Sequence, residues 1–206
     1  MTAPAPAPSP DADRRLLAAA KGGDADGVRD ALGDGARVTA RDEELRTPLL
    51  LASLGSHVEA ARLLVGAGAD PNAQDVREDS AWLVTGVTGS VAMMRVLLPA
   101  RPDLTLTNRF GGVSVIPASE RGHVDYVRAV LAETEMDVNH VNRLGWTALL
   151  EAVILGDGGR PHEQVVEILL AAGADPDLPD GDGTTALEHA VRRGFDGIAA
   201  LLREPR

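Results

Sequence analysis

One interval governs this sequence, a repeat of about 33 residues. Taking Thr47 as the anchor, equivalent positions fall at Arg14, Ser80, Val113, Thr147 and Thr185, spaced 33, 33, 33, 34 and 38 residues apart. Two residues past each anchor stand Leu16, Leu49, Trp82, Val115, Leu149 and Leu187, apolar and bulky every time. Five past stand Ala19, Ala52, Thr85, Ala118, Ala152 and Ala190, small every time. Positions three apart share one helical face, and small residues there let helices approach closely. A second stripe follows: Val28/Ala31/Leu32, Ala61/Leu64/Val65, Met94/Leu97/Leu98, Val127/Val130/Leu131 and Val166/Leu169/Leu170. Its spacing again fits one helical face. Gly35, Gly68 and Gly173 then supply the left-handed residue that ends a helix. Asp42, Asp75, Asn108, Asn142 and Asp180 precede their anchors by five residues, and Asp and Asn favour turns. Each period therefore reads as turn, short helix, second helix and extended hairpin loop. One such unit cannot bury its own apolar faces, whereas six stacked units build a continuous core.

The unit resembles the ankyrin repeat. The strings that carry the resemblance are Thr47-Pro48-Leu49, Gly66-Ala67-Gly68-Ala69-Asp70-Pro71-Asn72, Gly122-His123-Val124-Asp125-Tyr126-Val127 and Gly145-Trp146-Thr147-Ala148-Leu149. They stand in register over about residues 13–204. The run from Asn108 through Gly156-Asp157-Gly158-Gly159 is similar to a subset of small, stand-alone bacterial ankyrin-repeat proteins. The expected fold is all-α: an ankyrin-repeat solenoid of about six helix-turn-helix repeats with hairpin finger loops and the terminal repeats as caps. Repeats are placed at approximately 13–41, 42–74, 75–107, 108–141, 142–179 and 180–206, forming one domain over 13–206. Arg14 and Arg15 replace the inner Thr-Pro, and Arg203 replaces an apolar stripe residue, as capping requires. Residues 1–12, with Pro4, Pro6, Pro8 and Pro10 alternating, read as a disordered Pro/Ala-rich tail.

Composition narrows the function. The 206 residues carry a net charge of −11, against a general nucleic-acid binder. There is no cysteine, which excludes disulfides, thiolate zinc sites and a cysteine nucleophile. No apolar run approaches the ~20 residues of a membrane span. The N-terminus lacks the pattern of a signal peptide, so a cytoplasmic location is expected. Nineteen arginines against the single Lys21, with abundant Ala and Gly, suggest a GC-rich bacterial genome.

No constellation suggests catalysis. His57, His123 and His162 share one repeat position just before the second helix, and so are spread along the array. We read them as structural, bonding the loop or helix start, because catalysis needs groups converging on one point. The string from Asp175 to Gly183 lacks the ligand order and distal glutamate of a calcium loop. Gly156-Asp157-Gly158-Gly159 follows a helix and lacks a phosphate-loop lysine, so it reads as a flexible insertion. No cofactor, metal site or catalytic residue is assigned.

What remains is a surface. The resemblance implies that partners bind where finger tips and the exposed side of the first helices line up. By register this surface includes Glu43, Glu44 and Arg46; Val76, Arg77 and Asp79; Arg109, Phe110 and Gly112; Arg143, Leu144 and Trp146; and Gly181, Asp182 and Thr184. Hot spots favour Trp, Tyr and Arg. The candidate partner-binding residues are accordingly Arg77, Arg109, Phe110, Arg121, Arg143, Leu144 and Trp146, offered to an acidic or amphipathic surface across repeats three to five. The expected function is a non-catalytic scaffold or regulator, a monomer binding one protein partner, with neither nucleic acid nor membrane. The alternative is an acidic inhibitor or nucleic-acid mimic occupying a basic groove. An enzyme or metal protein is disfavoured.

Repeats three and four depart most from the pattern. Trp82 fills a leucine position, Val113 fills the anchor, and Pro117 lies in a first helical turn. The fingers before repeats two and three carry Leu45 and Glu78 where later ones have Gly111, Gly145 and Gly183, so a different turn geometry is expected there. Repeats three and four should be the least stable. Hydrogen exchange should find their amides least protected, and uniform protection along the array contradicts this.

Overall fold

The apolar stripes are buried where the register puts them. The computed structural model describes residues 9–204. It is helical throughout: α1 (Pro10–Gly22), α2 (Ala25–Gly33), α3 (Pro48–Leu54), α4 (Val58–Gly66), α5 (Leu83–Thr88), α6 (Val91–Leu97), α7 (Val115–Glu120), α8 (Val124–Glu133), α9 (Ala148–Ile154), α10 (Arg160–Ala171), α11 (Ala186–Arg193) and α12 (Asp196–Arg203). A 3-10 turn, Leu98–Ala100, extends α6. No strand occurs among the described residues. Leu16, Leu49, Val115 and Leu149 of the first helices, and Trp82 immediately before α5, are fully buried. In every second-helix stripe of the first five pairs, the first two residues are buried and the third is half-buried. Leu187, in the last pair, is only half-buried, as a terminal repeat allows.

The chain divides into two units, residues 1–103 and 104–206. In the first, α1, α3 and α5 pack in succession, as do α2, α4 and α6, and each first helix packs on its own second helix. The second unit repeats the plan with α7, α9 and α11 beside α8, α10 and α12.

The threonine anchors start the helices. The Oγ1 atoms of Thr47, Thr147 and Thr185 accept from the backbone N–H of Leu50, Leu150 and Glu188. Each side chain thereby satisfies a donor that the helix itself cannot. Ser80 does the same for Leu83. Val113 cannot, and the neighbouring Ser114 makes no capping bond, so its buried hydroxyl has no hydrogen-bond partner. The indole Nε1 of the fully buried Trp82 is likewise unpartnered. Pro117 costs less than its position suggests. It is the third helical residue, where the missing N–H is one of the unsatisfied donors anyway, and the Val113 carbonyl accepts from Ile116.

The fingers correct one expectation. All five share one geometry, including the two without glycine. In each, the N–H of the Asp or Asn residue donates to a carbonyl four residues on, and its own carbonyl accepts from the residue three on. Its side-chain Oδ1 also accepts two N–H groups, such as those of Arg77 and Asp79 on Asp75, or Leu144 and Trp146 on Asn142. These bonds leave the fourth finger residue no choice of φ. Leu45 and Glu78 sit at φ 61° and 60°, in the same left-handed region as Gly111, Gly145 and Gly183. The hydrogen bonds outweigh the steric cost of a Cβ there.

Three further expectations change. The tail boundary at residue 12 is too late. The Ser9 side chain caps α1, Pro10 opens it, and Asp11 and Asp13 occupy its first turn, all favourable at a helix N-terminus. Residues 1–8 of that segment lie outside the described residues. His57 and His123 make no capping bond to their own helices, although His162 does bond the loop before its helix, as expected, through Asp157. The ring Nε2–H of His57 donates to the Lys21 carbonyl at the end of α1, and that of His162 to the Glu120 carbonyl at the end of α7. Each therefore ties one repeat to the one before it. The insertion at 156–161 is packed down: Asp157 Oδ1 accepts from Gly159 N–H and His162 Nδ1, and the Phe195 ring covers Gly158 so closely that no Cβ would fit.

Two measurements test this account. Leu45→Gly should raise stability by about 0.5–1 kcal/mol, the left-handed cost recovered less glycine's entropy. An unchanged or lower urea midpoint contradicts the finger argument. Thr147→Ala should cost about 1 kcal/mol, while Ser114→Ala should cost nothing measurable. Equal losses in urea denaturation contradict the assigned capping roles.

Candidate functional site: the finger face of the second unit

Within the second unit the structure gathers five of the seven candidate residues, Arg109, Phe110, Arg143, Leu144 and Trp146, on two consecutive fingers. Phe110 is 49% exposed and Leu144 53% exposed, so each finger lifts an apolar tip into solvent. The Arg109 guanidinium lies over the Phe110 ring, 4.4 Å from its centroid, in cation–π contact. Arg143 joins the fingers. Its backbone N–H donates to the Phe110 carbonyl at 2.9 Å and its guanidinium to the Arg109 carbonyl at 2.7 Å. Gly111 makes room for this, since a Cβ there would stand 2.7 Å from Arg143 Cγ. Arg143 thus serves the fingers' own architecture. Arg121, just past α7, is exposed, and Trp146 is half-buried. Arg77 is exposed on the 75–79 finger of the first unit. Gly112 and Thr184, placed on the exposed surface by register, are buried instead. Each closes its finger by donating its N–H inward to Oδ1 of Asn108 or Asp180.

The cations of the two units are used differently. In the first, a hollow of about 700 Å³ lies between α1, the 41–46 finger and α3, and arginines line it. All three, Arg14, Arg41 and Arg46, are already engaged. Arg46 pairs with Asp42 and Glu44 at 2.8 and 2.9 Å, Arg14 pairs with Asp11 at 3.0 Å, and Arg41 donates to the carbonyls of Leu45 and Gln74. The Arg46 guanidinium helps hold the Asp42 carboxyl below its ordinary range against the opposing effect of burial. In the second unit, Arg109 and Arg121 have no carboxylate partner among the described residues.

Sequence reasoning passed over Glu151. It stands four residues past its anchor, in a column that otherwise reads Ala18, Leu51, Val84, Pro117 and His189. A glutamate in that largely apolar column was the available signal. Its side chain is 7% exposed, and Oε1 accepts from Asn142 Nδ2 at 2.8 Å. Burial first, and then the nearby Glu120 carboxylate, push its carboxyl up to about 7, with the Asn142 bond opposing them. In the next repeat the same column holds His189, whose Nε2–H donates to Asp180 Oδ2 at 2.7 Å. That bond contributes, after the Thr184 N–H, to holding the Asp180 carboxyl below its ordinary range. The column is therefore a contact between first helix and finger. Among the described residues no group of three or more metal-binding side chains comes together, and no helix is long and apolar enough to cross a membrane.

Helix pairs, left-handed fingers and threonine caps define a repeat class, and comparison with known proteins identifies it. Family models match as ankyrin repeats in three copies over residues 81–180, ankyrin repeats in many copies over 159–202, and a single ankyrin repeat over 44–76. The chain is 43% identical over 186 residues to the ankyrin repeat protein YahD of Escherichia coli strain K12, covering 90% of this chain and 92% of that protein. An ankyrin repeat domain crystal structure from Acinetobacter baumannii superposes with a TM-score of 0.86 at 46% identity, over 91% of this chain and 95% of that one. A second crystal structure, of the ankyrin repeat protein EF0377, gives a TM-score of 0.90 at 35% identity, over 94% and 98% of the two chains. The chain belongs to the ankyrin-repeat family. Such repeats generally serve as protein-interaction modules, and nothing in the family matches or in the fold points to an enzyme.

The raised carboxyl of Glu151 gives a pH dependence with a definite sign. Its folded value lies above its ordinary one of 4.5, so the folded chain holds a proton that the unfolded chain has lost. The stability this confers is complete below about pH 4.5 and is lost as pH rises to about 7. The interval corresponds to something on the order of 3 kcal/mol. Glu151→Gln should remove that loss, making the variant more stable than wild type above pH 7 and nearly equal to it near pH 4.5. Parallel denaturation curves at all pH values contradict the assignment.

Proposed function

We propose that this chain is a non-catalytic interaction module whose second unit binds a protein partner on its finger face, as scaffold or regulator. One observation carries the reading. Two apolar tips, Phe110 and Leu144, stand exposed on adjoining fingers, the Arg109 guanidinium lies over the Phe110 ring, and Arg109 and Arg121 of this unit have no carboxylate partner among the described residues in a chain of net charge −11. Exposed aromatic and arginine side chains on a preformed surface are the usual anchors of an interface. The unpaired charges favour an acidic, amphipathic partner segment. Trp146 closes the 142–146 finger and is half-buried there, while Arg77 belongs to the first unit. The reading also takes the chain as a cytoplasmic monomer. The net negative charge supports the absence of nucleic acid among its ligands.

The same charge supports a second reading, an acidic inhibitor or nucleic-acid mimic seated in a basic groove. Affinity capture from a lysate of the source cell, with wild type beside a folded Arg109→Ala/Phe110→Ala/Leu144→Ala variant, tests the first. The partner should be held at least about tenfold more weakly by the variant. Equal retention places the interface elsewhere. A steep loss of affinity with added salt, unaffected by the triple substitution, favours the mimic.

A further inference from the structure

We propose that Glu151 is a positioning residue for the 142–146 finger: acting through Asn142, it sets how that finger is held, and the gain or loss of its proton changes the hold. The inference rests on reading this finger, which carries Leu144 and Trp146, as part of the binding face.

The geometry is a relay of three bonds. Asn142 Oδ1 accepts from Leu144 N–H at 2.9 Å and from Trp146 N–H at 3.0 Å, while Asn142 Nδ2 donates to Glu151 Oε1 at 2.8 Å. Asn142 and Glu151 are 6% and 7% exposed, so water competes poorly for these groups. An asparagine differs here from the aspartates at 42, 75 and 180. A carboxylate accepts from the finger whichever way it turns, whereas an amide accepts through one end only. Ionised, Glu151 can only accept, so it draws the Asn142 NH2 towards itself and leaves Oδ1 facing the finger. Protonated, it can donate as well. The amide can then turn over and present its NH2 to two N–H groups that cannot accept it. The ionised state holds the finger and the protonated state loosens it.

The surroundings place this change in a useful range. The helix α9 packs against α7, α10 and α11. From α7, Glu120 faces the carboxyl and repels its charge, with the exposed Arg121 following. From α10 and its lead-in, His162 is bonded to Asp157 and to the Glu120 carbonyl, Arg160 lies 3.7 Å from Glu163, and Glu167 is exposed. From α11, His189 is bonded to Asp180, Glu188 closes its own capping box, Arg192 reaches the Thr184 hydroxyl, and Arg193 donates to the Val153 and Ile154 carbonyls at the end of α9. Of these groups, Glu120 is the one whose charge acts on Glu151. Together with burial it brings the carboxyl up to about 7. A partner that reads Leu144 and Trp146 meets the pre-organised finger above that pH and a looser one below it.

The test needs no partner, so its outcome is separate from that of the capture experiment. Backbone amide shifts of the full chain are followed by NMR from about pH 5 to pH 9, a window in which a carboxyl of ordinary pKa stays ionised over most of the range. In wild type the Leu144 and Trp146 amides should titrate together with a midpoint near 7. In Glu151→Gln that step should vanish, leaving both amides near their wild-type low-pH positions. The Arg77 and Asp79 amides should not follow it, because Asp75 holds that finger and Val84 occupies the column. Flat wild-type amides overturn the proposal. So does an undiminished step in the variant, which would assign the titration to another group.

Discussion

A helix pair with one apolar stripe on each member cannot close a core by itself, and the rest of this structure follows from that constraint. Burial must come from the neighbouring pair, so first helices pack on first helices and second on second within each unit. The small residue five past the anchor permits the close approach, and the bulky one two past it fills the space. The terminal pairs lack one neighbour. There the column turns polar or half-exposed, as at Arg14, Leu187 and Arg203. Side chains reaching back to the preceding repeat then fix the spacing. His57 and His162 do so on helix-end carbonyls, and Asn139 makes the opposite reach, to Gly173 and Asp175 of the repeat that follows it.

The fingers show how strongly a hydrogen-bond pattern can override local preference. One side-chain oxygen satisfies two backbone donors in each of them, and the left-handed residue is the price of closing the turn. Glycine lowers that cost but does not decide the conformation, since Leu45 and Glu78 adopt it within the same bonds. Reading conformation from residue type alone therefore failed at those two positions. Reading it from the Asp or Asn five residues before the anchor would have succeeded, because that residue makes the bonds.

The surface chemistry separates the units in a way that composition hides. The same chain-wide excess of carboxylates leaves most arginines of the first unit paired, while Arg109 and Arg121 of the second have no such partner among the described residues. Net charge describes the whole chain, whereas recognition depends on which charges remain unsatisfied at one place. Arg143 shows the converse. By register it is an exposed cation, but its guanidinium also bonds the Arg109 carbonyl and braces two fingers together.

The sequence by itself determined the repeat, the pairing of helices, both buried stripes and the exposure of Phe110 and Leu144. All of these are set by periodicity and by the few residue types that fit a helix face, a cap or a turn. Only the tertiary structure decided the rest. The helix at Pro10 depends on a cap from Ser9, and the insertion at 156–161 depends on Phe195, Asp157 and His162 closing over it. The buried contact between Glu151 and Asn142, and through it the hold on one finger, depends on which first-helix residue meets which finger residue. Such outcomes turn on distances of a few ångströms between groups far apart along the chain or on different elements. Periodicity places side chains on faces; only packing brings a particular donor to a particular acceptor.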